Sequence, residues 1–538
     1  MGIERLHLRM GRPRWDILAV VIALLVGLYV RLYRLGDTPL VSLEIYTWDF
    51  SKQSISFILG RLSQIETNPP LYYLLMHFMM KSGDSEFIMR LPSVLSGTLA
   101  IPLVYLLGRL GRVPVSGVIG AALLALSAIN ISYDREARAY PLVQVFCLLA
   151  AIGAVVIINA YRARPSEERM RQQGLGWLIF TVASIAGFYL HYTFLFEVCV
   201  MELTILAVWL SQPRLDKRFL LAWFLSCVVL LVAMSWGLTL VQNQAYSDNI
   251  AWIQIPSLQE AADLLVQVDG YSSLYRFQPW ASILLMALAF VGLVVGWKRS
   301  AAILICGSLF IVFPVLLFGM SQIRPVFIER VLVPPSFSVY LLAGLGCLHL
   351  LREAIRYAKP FSTFRATLFG LSSSQRFFVP LTATLMLVPA LISARNSLRE
   401  APVLEPYDKV AEYLAATVKP GDIAVGTDGV IYYRRKFHAN FPYFKLVDSE
   451  SAESQITYGS PAIKTDDVRK LAHVDNAIYL VLREKLQSST DIRESLSFRE
   501  PPENSFGALG IYRLSGACPG SAPCFSGILA EIGGDVRP

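Results

Sequence analysis

The chain has 538 residues and a net charge of +8, with 54% hydrophobic and only 16% charged residues, and its mean hydropathy is +0.50. Soluble domains carry roughly 25% charged residues, so a water-soluble globule, a disordered chain and a collagen-like repeat are excluded. In so apolar a chain the excess of Lys and Arg first serves to orient membrane spans, and no nucleic-acid partner is expected.

The N-terminus carries Arg5, Arg9, Arg12 and Arg14 before an apolar run over 17–30, which ends on Arg31 and Arg34 without a small-residue cleavage site. This reads as an uncleaved first span, not a signal peptide. About eleven stretches approach the ~20 residues that a bilayer demands: 16–34, 88–108, 114–132, 139–161, 175–191, 194–211, 218–237, 281–297, 300–319, 331–351 and 377–394. Alternate loops test this division. Arg109 and Arg112; Arg162, Arg164, Arg169 and Arg171; Arg214, Lys217 and Arg218; Lys298 and Arg299; and Arg352, Arg356, Lys359, Arg365 and Arg376 all fall on one side. The positive-inside rule then puts the N-terminus in the cytoplasm and the C-terminal segment outside. The apolar stretch 69–80 is too short to span, and counting it would reverse every later loop, so it reads as a short interfacial or re-entrant helix.

Two units follow. Residues 1–394 form a polytopic α-helical membrane domain with outer loops over 35–87, 133–138 and 238–280, and residues 395–538 form a small extracytoplasmic α/β domain. In the second unit a helix pattern at Tyr407–Thr417 precedes strand-like runs at Ile423–Gly426, 430–433, 477–481 and Leu509–Leu514. Five cysteines lie singly in apolar runs as small hydrophobes. Cys518 and Cys524 bracket a Pro/Gly turn and read as a local disulfide of an oxidising compartment.

Three outer clusters carry candidate chemistry. In SLEIYTWD (42–49), Glu44 and Asp49 stand near the membrane surface beside Tyr46 and Trp48; the plain alternative is solvated carboxylates among interfacial aromatics. In YDREARAY (133–140), Asp134, Glu136, Arg138 and Tyr140 crowd a span mouth, where charge is costly unless used, although the acids and bases could simply neutralise one another. In RPVFIER (324–330), Arg324 and Arg330 lie on the outer side against the positive-inside trend, which suggests an anion such as phosphate; a salt bridge with Glu329 is the alternative. Carboxylates that take a proton from an acceptor hydroxyl, with arginines that neutralise a departing phosphate, make a coherent machine dominated by electrostatics.

The runs NPPLYYLLMH (68–77), GDSEFIMRLPS (83–93) and YDREARAY (133–140), with His191-Tyr-Thr, the Arg330 region before Pro334-Pro335 and a KPGD strand entry at 419–422, resemble bacterial members of glycosyltransferase family 39. These are relatives of protein O-mannosyltransferases and of the aminoarabinose transferase. The resemblance covers most of 16–350 and implies the type-C glycosyltransferase fold in a bacterial inner membrane. It also implies transfer of a monosaccharide from a polyprenyl-phosphate donor to an acceptor lipid, polysaccharide or protein, inverting and without a covalent intermediate. On this pattern Glu44 is the base or orients the acceptor, with Asp49 and Glu136 as the other candidate bases. Glu136 positions sugar or acceptor, and Arg138 and Arg330 bind the leaving phosphate. Tyr140, Arg324, Asp134, His191 and Tyr72 complete the substrate contacts. The chain departs from the family at Leu43, where an Asp usually precedes the Glu, and at Asn68, where many relatives have His. No cofactor is required on this reading; the one metal set on offer is Asp134, Glu136 and Glu44, for Mg²⁺ or Mn²⁺. The rival functions are a non-catalytic lipid-sugar binding scaffold of the same fold and a lipid-linked sugar flippase.

Overall fold

The structure is a computed structural model that describes residues 15–62, 68–163, 166–212, 216–244, 253–270, 279–357, 386–396, 398, 406–426, 428–447, 462–464, 477–483, 504–506 and 509–514. The proposed Cys518–Cys524 disulfide lies outside these residues, as do Trp252, Tyr271, Tyr275 and the first half of the 377–394 stretch.

A helical bundle leads into a six-stranded sheet. Among the described residues eight helices are long and apolar enough to cross a membrane: Trp15–Leu32, Glu86–Leu110, Tyr140–Arg162, Glu167–Leu190, Lys217–Gln242, Pro279–Gly296, Ala301–Ser321 and Pro334–Glu353. A ninth is formed if the bent pair Pro114–Leu126 and Ala128–Asp134, which meet at 59°, counts as one. The protein is a multi-pass membrane protein. Helix Phe194–Leu210 has 17 residues, short of the ~20 that a bilayer requires. The span count among the described residues is therefore lower than the sequence pattern suggests.

Close approach between spans rests on small residues. On Pro279–Gly296 and Phe337–Tyr357, a side chain at Gly292 would run into the Leu342 carbonyl, and one at Gly346 into that of Leu288. The two backbones therefore touch, the usual way helices gain dispersion energy where no water drives burial.

The bend at Ser127 has a local cause. Its hydroxyl accepts the Asn130 backbone N–H at 3.4 Å and so starts a new helix, while the same oxygen meets the Tyr340 hydroxyl at 2.8 Å. Gln144 donates to Asn130 Oδ1 at 2.8 Å and to the Val333 and Pro334 carbonyls at 3.3 Å. This polar network ties the start of the short helix Ala128–Asp134 to two neighbouring spans.

The first loop holds three short helices, Ser42–Ser51, Ile55–Arg61 and Pro70–Met79. The last has only ten residues, as the sidedness argument requires. In the C-terminal unit, helix Tyr407–Thr417 precedes strands β1 (Ile423–Gly426), β2 (Tyr443–Val447), β3 (Ala462–Lys464), β4 (Ile478–Arg483), β5 (Asn504–Phe506) and β6 (Leu509–Leu514). Their spatial order is β3-β2-β1-β4-β6-β5. The first four are parallel, and β6 runs antiparallel to both β4 and β5.

One sequence expectation is corrected here. Residues 430–433 belong to helix Asp428–Lys436, not a strand. Val430, Ile431, Tyr432 and Tyr433 are all buried, so the run is apolar on every side. Such a run carries no periodicity to separate buried strand from buried helix, and tertiary packing decides. This helix docks on the first loop, where the Tyr432 ring stands edge-on to Trp48 at 5.0 Å; helix Tyr407–Thr417 adds a 2.7 Å hydrogen bond between the Tyr407 and Ser42 hydroxyls.

Deep in the bundle Arg31 donates to Asp134 at 2.6 Å, with side-chain exposures of 0% and 2%. Arg31 also donates to the carbonyls of Gly27, Ala125 and Leu124. Removing one member of such a pair leaves an uncompensated charge, at a cost of about 3–5 kcal/mol. Asp134→Ala should therefore lower the thermal midpoint in detergent by many degrees, and combining it with Arg31→Leu should restore part of the loss. Equal midpoints for wild type and Asp134→Ala would contradict a stabilising role for the pair.

Candidate active site

The site is built around the N-terminal turns of helix Glu86–Leu110, where Glu86, Arg90 and Ser93 share a face at helical spacing. Arg90 is buried and donates through Nε and Nη2 to the two Glu44 oxygens at 2.8 and 2.7 Å. Its remaining donors take the carbonyls of Leu35, Thr38 and Pro39 and the Thr38 hydroxyl, each at 2.9 Å. Glu44 accepts two further bonds, from the backbone N–H of Val41 at 3.0 Å and of Ala137 at 2.8 Å. The first loop, the second loop and a span thus meet on one ion pair.

That geometry revises the role foreseen for Glu44. Its side chain is 1% exposed and both oxygens are engaged by charged or backbone donors. Glu44 thereby fastens the first loop, the second loop and the span together.

Its bond to Ala137 fixes the turn that carries the next two candidates. Arg138 N–H donates to the Glu136 carbonyl at 2.8 Å, and the Ser93 hydroxyl donates to the Arg138 carbonyl at 2.9 Å. Glu136 is half-buried, and its carboxyl is pushed up to about 7, first by desolvation and next by the Glu44 charge, against the pull of Arg138 and Arg90. Arg138 is buried, donates to the Leu43 carbonyl and the Thr47 hydroxyl at 3.3 Å, and its guanidinium carbon lies 5.8 Å from the Tyr140 ring centre.

Arg138 and Tyr140 line a small pocket with Thr47, Asn68, Tyr72, Tyr73 and His191. Burial and the nearby charges of Arg330 and Arg138 hold the His191 imidazole down to about 3, so it stays neutral and acts through hydrogen bonds, as with the Thr193 hydroxyl at 2.7 Å. Its ring lies 5.5 Å from that of Tyr140. The Tyr72 hydroxyl meets Ser93 at 3.3 Å. Tyr133 donates to Glu329 at 3.1 Å, and burial raises the Glu329 carboxyl.

The structure thus brings Glu44, Glu136, Arg138, Tyr140, Tyr72, His191 and Arg330 into one neighbourhood. Three candidates stand apart from it. Asp49 pairs with Lys52 on its own helix, beside Trp48. Asp134 is committed to Arg31. Arg324 is half-buried in the turn after Ala301–Ser321, with its N–H bonded to the Met320 carbonyl. The metal set drawn from Asp134, Glu136 and Glu44 is not assembled, because two of its carboxylates face arginines; among the described residues no three His, Cys, Asp or Glu side chains group as metal ligands.

Sequence reasoning missed Arg90, although the Glu86–Arg90 spacing of one helical turn lay within a quoted motif. It also missed Glu197 and Glu202, buried on helix Phe194–Leu210. Acids inside an apolar run were a legible signal.

No protein-family model matches the chain, and no curated protein matches it in sequence. Solved structures do. ArnT from Cupriavidus metallidurans in the apo state aligns with 93% of this chain and 97% of its own at 14% identity and a TM-score of 0.60. The same protein bound to undecaprenyl phosphate gives 0.58 at 14% identity, over 93% of this chain and 98% of that one. The Archaeoglobus fulgidus oligosaccharyltransferase tethered with an acceptor peptide gives 0.52 at 10% identity, over 88% of this chain and 69% of that one. At these identities the likeness is one of fold, and the fold is that of the type-C glycosyltransferases.

Because Glu136 titrates near 7 in the folded protein against an ordinary 4.5, folding favours its protonated form. The stability it contributes is full below about pH 4.5 and is lost as pH rises through about 7. Thermal midpoints measured from pH 5 to 8 should fall more steeply for wild type than for Glu136→Gln; parallel profiles would contradict the assigned environment.

Proposed function

We propose that the chain is a membrane glycosyltransferase that moves one sugar from a polyprenyl-phosphate-linked donor to an acceptor on the extracytoplasmic side. The observation that carries this reading is the juxtaposition, in this fold, of a half-buried carboxyl titrating near neutrality with Arg138 at the wall of a small aromatic pocket and Arg330 close to the same His191. The fold neighbour crystallised with undecaprenyl phosphate supports the donor class.

On this reading Glu136 takes the proton of the acceptor hydroxyl, and a base near pH 7 is well matched to that task. The acceptor oxygen attacks the anomeric carbon from the side opposite the phosphate, so configuration inverts. The bond between that carbon and the phosphate oxygen breaks, and its electron pair leaves on the polyprenyl phosphate. Arg138 and Arg330 stabilise that charge at the moment it develops, the largest service a preorganised site can give. Tyr72, Tyr140 and His191 shape the pocket around the sugar. Glu44 and Arg90 hold the loops in register and take no part in proton transfer. The acceptor is a lipid, a polysaccharide or a protein.

A binding scaffold is the second reading, because Leu43 stands where relatives carry an acid and is 47% exposed, with its carbonyl given to Arg138. Purified protein with a polyprenyl-phosphate sugar separates the readings. Wild type should transfer sugar with a rate that rises as pH passes through about 7, and Glu136→Gln should lose at least ~100-fold in kcat. Arg138→Lys should weaken donor use about tenfold, since a point charge replaces a planar fork. Tight binding without turnover would favour the scaffold, and donor translocation across liposomes the flippase.

A further inference from the structure

The sheet domain grips the first loop at one buried point. The Tyr433 hydroxyl accepts the backbone N–H of Leu40 at 2.7 Å and donates to Glu86 Oε1 at 3.0 Å; Leu40 is fully buried and Glu86 is 6% exposed. Lys436, one turn further along Asp428–Lys436, also reaches Glu86. From Glu86 the helix runs one turn to Arg90, which takes the Pro39 carbonyl at 2.9 Å, so Leu40 is held by Tyr433 on one side of its peptide neighbourhood and by Arg90 on the other. Four residues on, Glu44 bonds Arg90 and Ala137, and Ala137 sits between Glu136 and Arg138. Direct bonds thus connect the sheet domain to the two residues assigned to proton transfer and phosphate binding.

We infer that Tyr433 is a positioning residue for the site, which makes the C-terminal domain part of the working unit and not only a platform for acceptors. The consequence for catalysis rests on the function proposed above; the mechanical link does not. Tyr433→Phe removes the hydroxyl that accepts the Leu40 N–H, at a fully buried residue, and a buried donor that loses its acceptor displaces its backbone. The displacement is passed to Ser42–Ser51, to Glu44 and from there to the 136–138 turn. Tyr432 supplies the control. It lies one residue away in the same interface and donates to the Asp84 carbonyl at 2.8 Å, outside the path through Leu40.

The test uses the full chain in lipid nanodiscs, with Tyr433→Phe and Tyr432→Phe compared by hydrogen exchange and by steady-state kinetics on a polyprenyl-phosphate sugar. Tyr433→Phe should accelerate exchange over 38–47 and over 135–140 about tenfold, as expected when local opening is eased, while Tyr432→Phe leaves both segments as in wild type. In the same pair kcat should fall about tenfold for Tyr433→Phe alone with donor KM within twofold, since small misplacements are costly to chemistry. Unchanged exchange over 135–140 in Tyr433→Phe, or identical behaviour of the two variants, overturns the inference. Should wild type transfer no sugar at all, the proposed function falls, and the exchange comparison still decides whether Tyr433 positions the turn.

Discussion

A guanidinium buried at the mouth of a membrane bundle organises this protein. Arg90 cannot lose its proton and sits where water is scarce, so the chain must supply acceptors for every donor it has. It does so with the Glu44 carboxylate and with carbonyls at 35, 38 and 39. Satisfying one charge therefore folds the first loop back over the start of helix Glu86–Leu110. Glu44, brought in as the counter-ion, has lone pairs left over and spends them on Val41 and Ala137, which draws in the second loop. A buried pair adds little net stability compared with an apolar replacement. Its effect here is geometric: three distant stretches of chain can meet in few other ways.

The same arrangement divides labour between two acids. Glu44 is taken up by its bonds to Arg90, Val41 and Ala137. Glu136 feels desolvation and the neighbouring Glu44 charge, and its carboxyl rises to about 7. Burial, with the nearby positive charges of Arg330 and Arg138, keeps His191 neutral. The exposed Leu43 shows that the pocket is assembled without an acid at that position.

Much of this was legible in the sequence, because the signals were local. Apolar length marked the spans, and the acids and arginines at the loop ends marked side chains that the fold brings near one another. Tyr407–Thr417, β1 and β6 came out with the bounds read from pattern alone. What escaped was set by contacts across the chain. Nothing near position 44 states that Arg90, 46 residues later, will pair with it. Asp134 looked like part of an acidic cluster until Arg31, 103 residues away, claimed it. The 430–433 run looked like a strand because its β-branched and aromatic residues favour one, and burial on all sides overrode the preference.

The measurement that bears most directly on the central claim is a double-mutant cycle on the unfolding stability of Glu44→Gln, Arg90→Met and the pair. If Arg90 and Glu44 fasten the loops through each other, each single change is destabilising, the double is no worse than the worse single, and the coupling exceeds about 2 kcal/mol. Losses that simply add would mean that the two residues act independently, and the account of how the site is held together would be wrong.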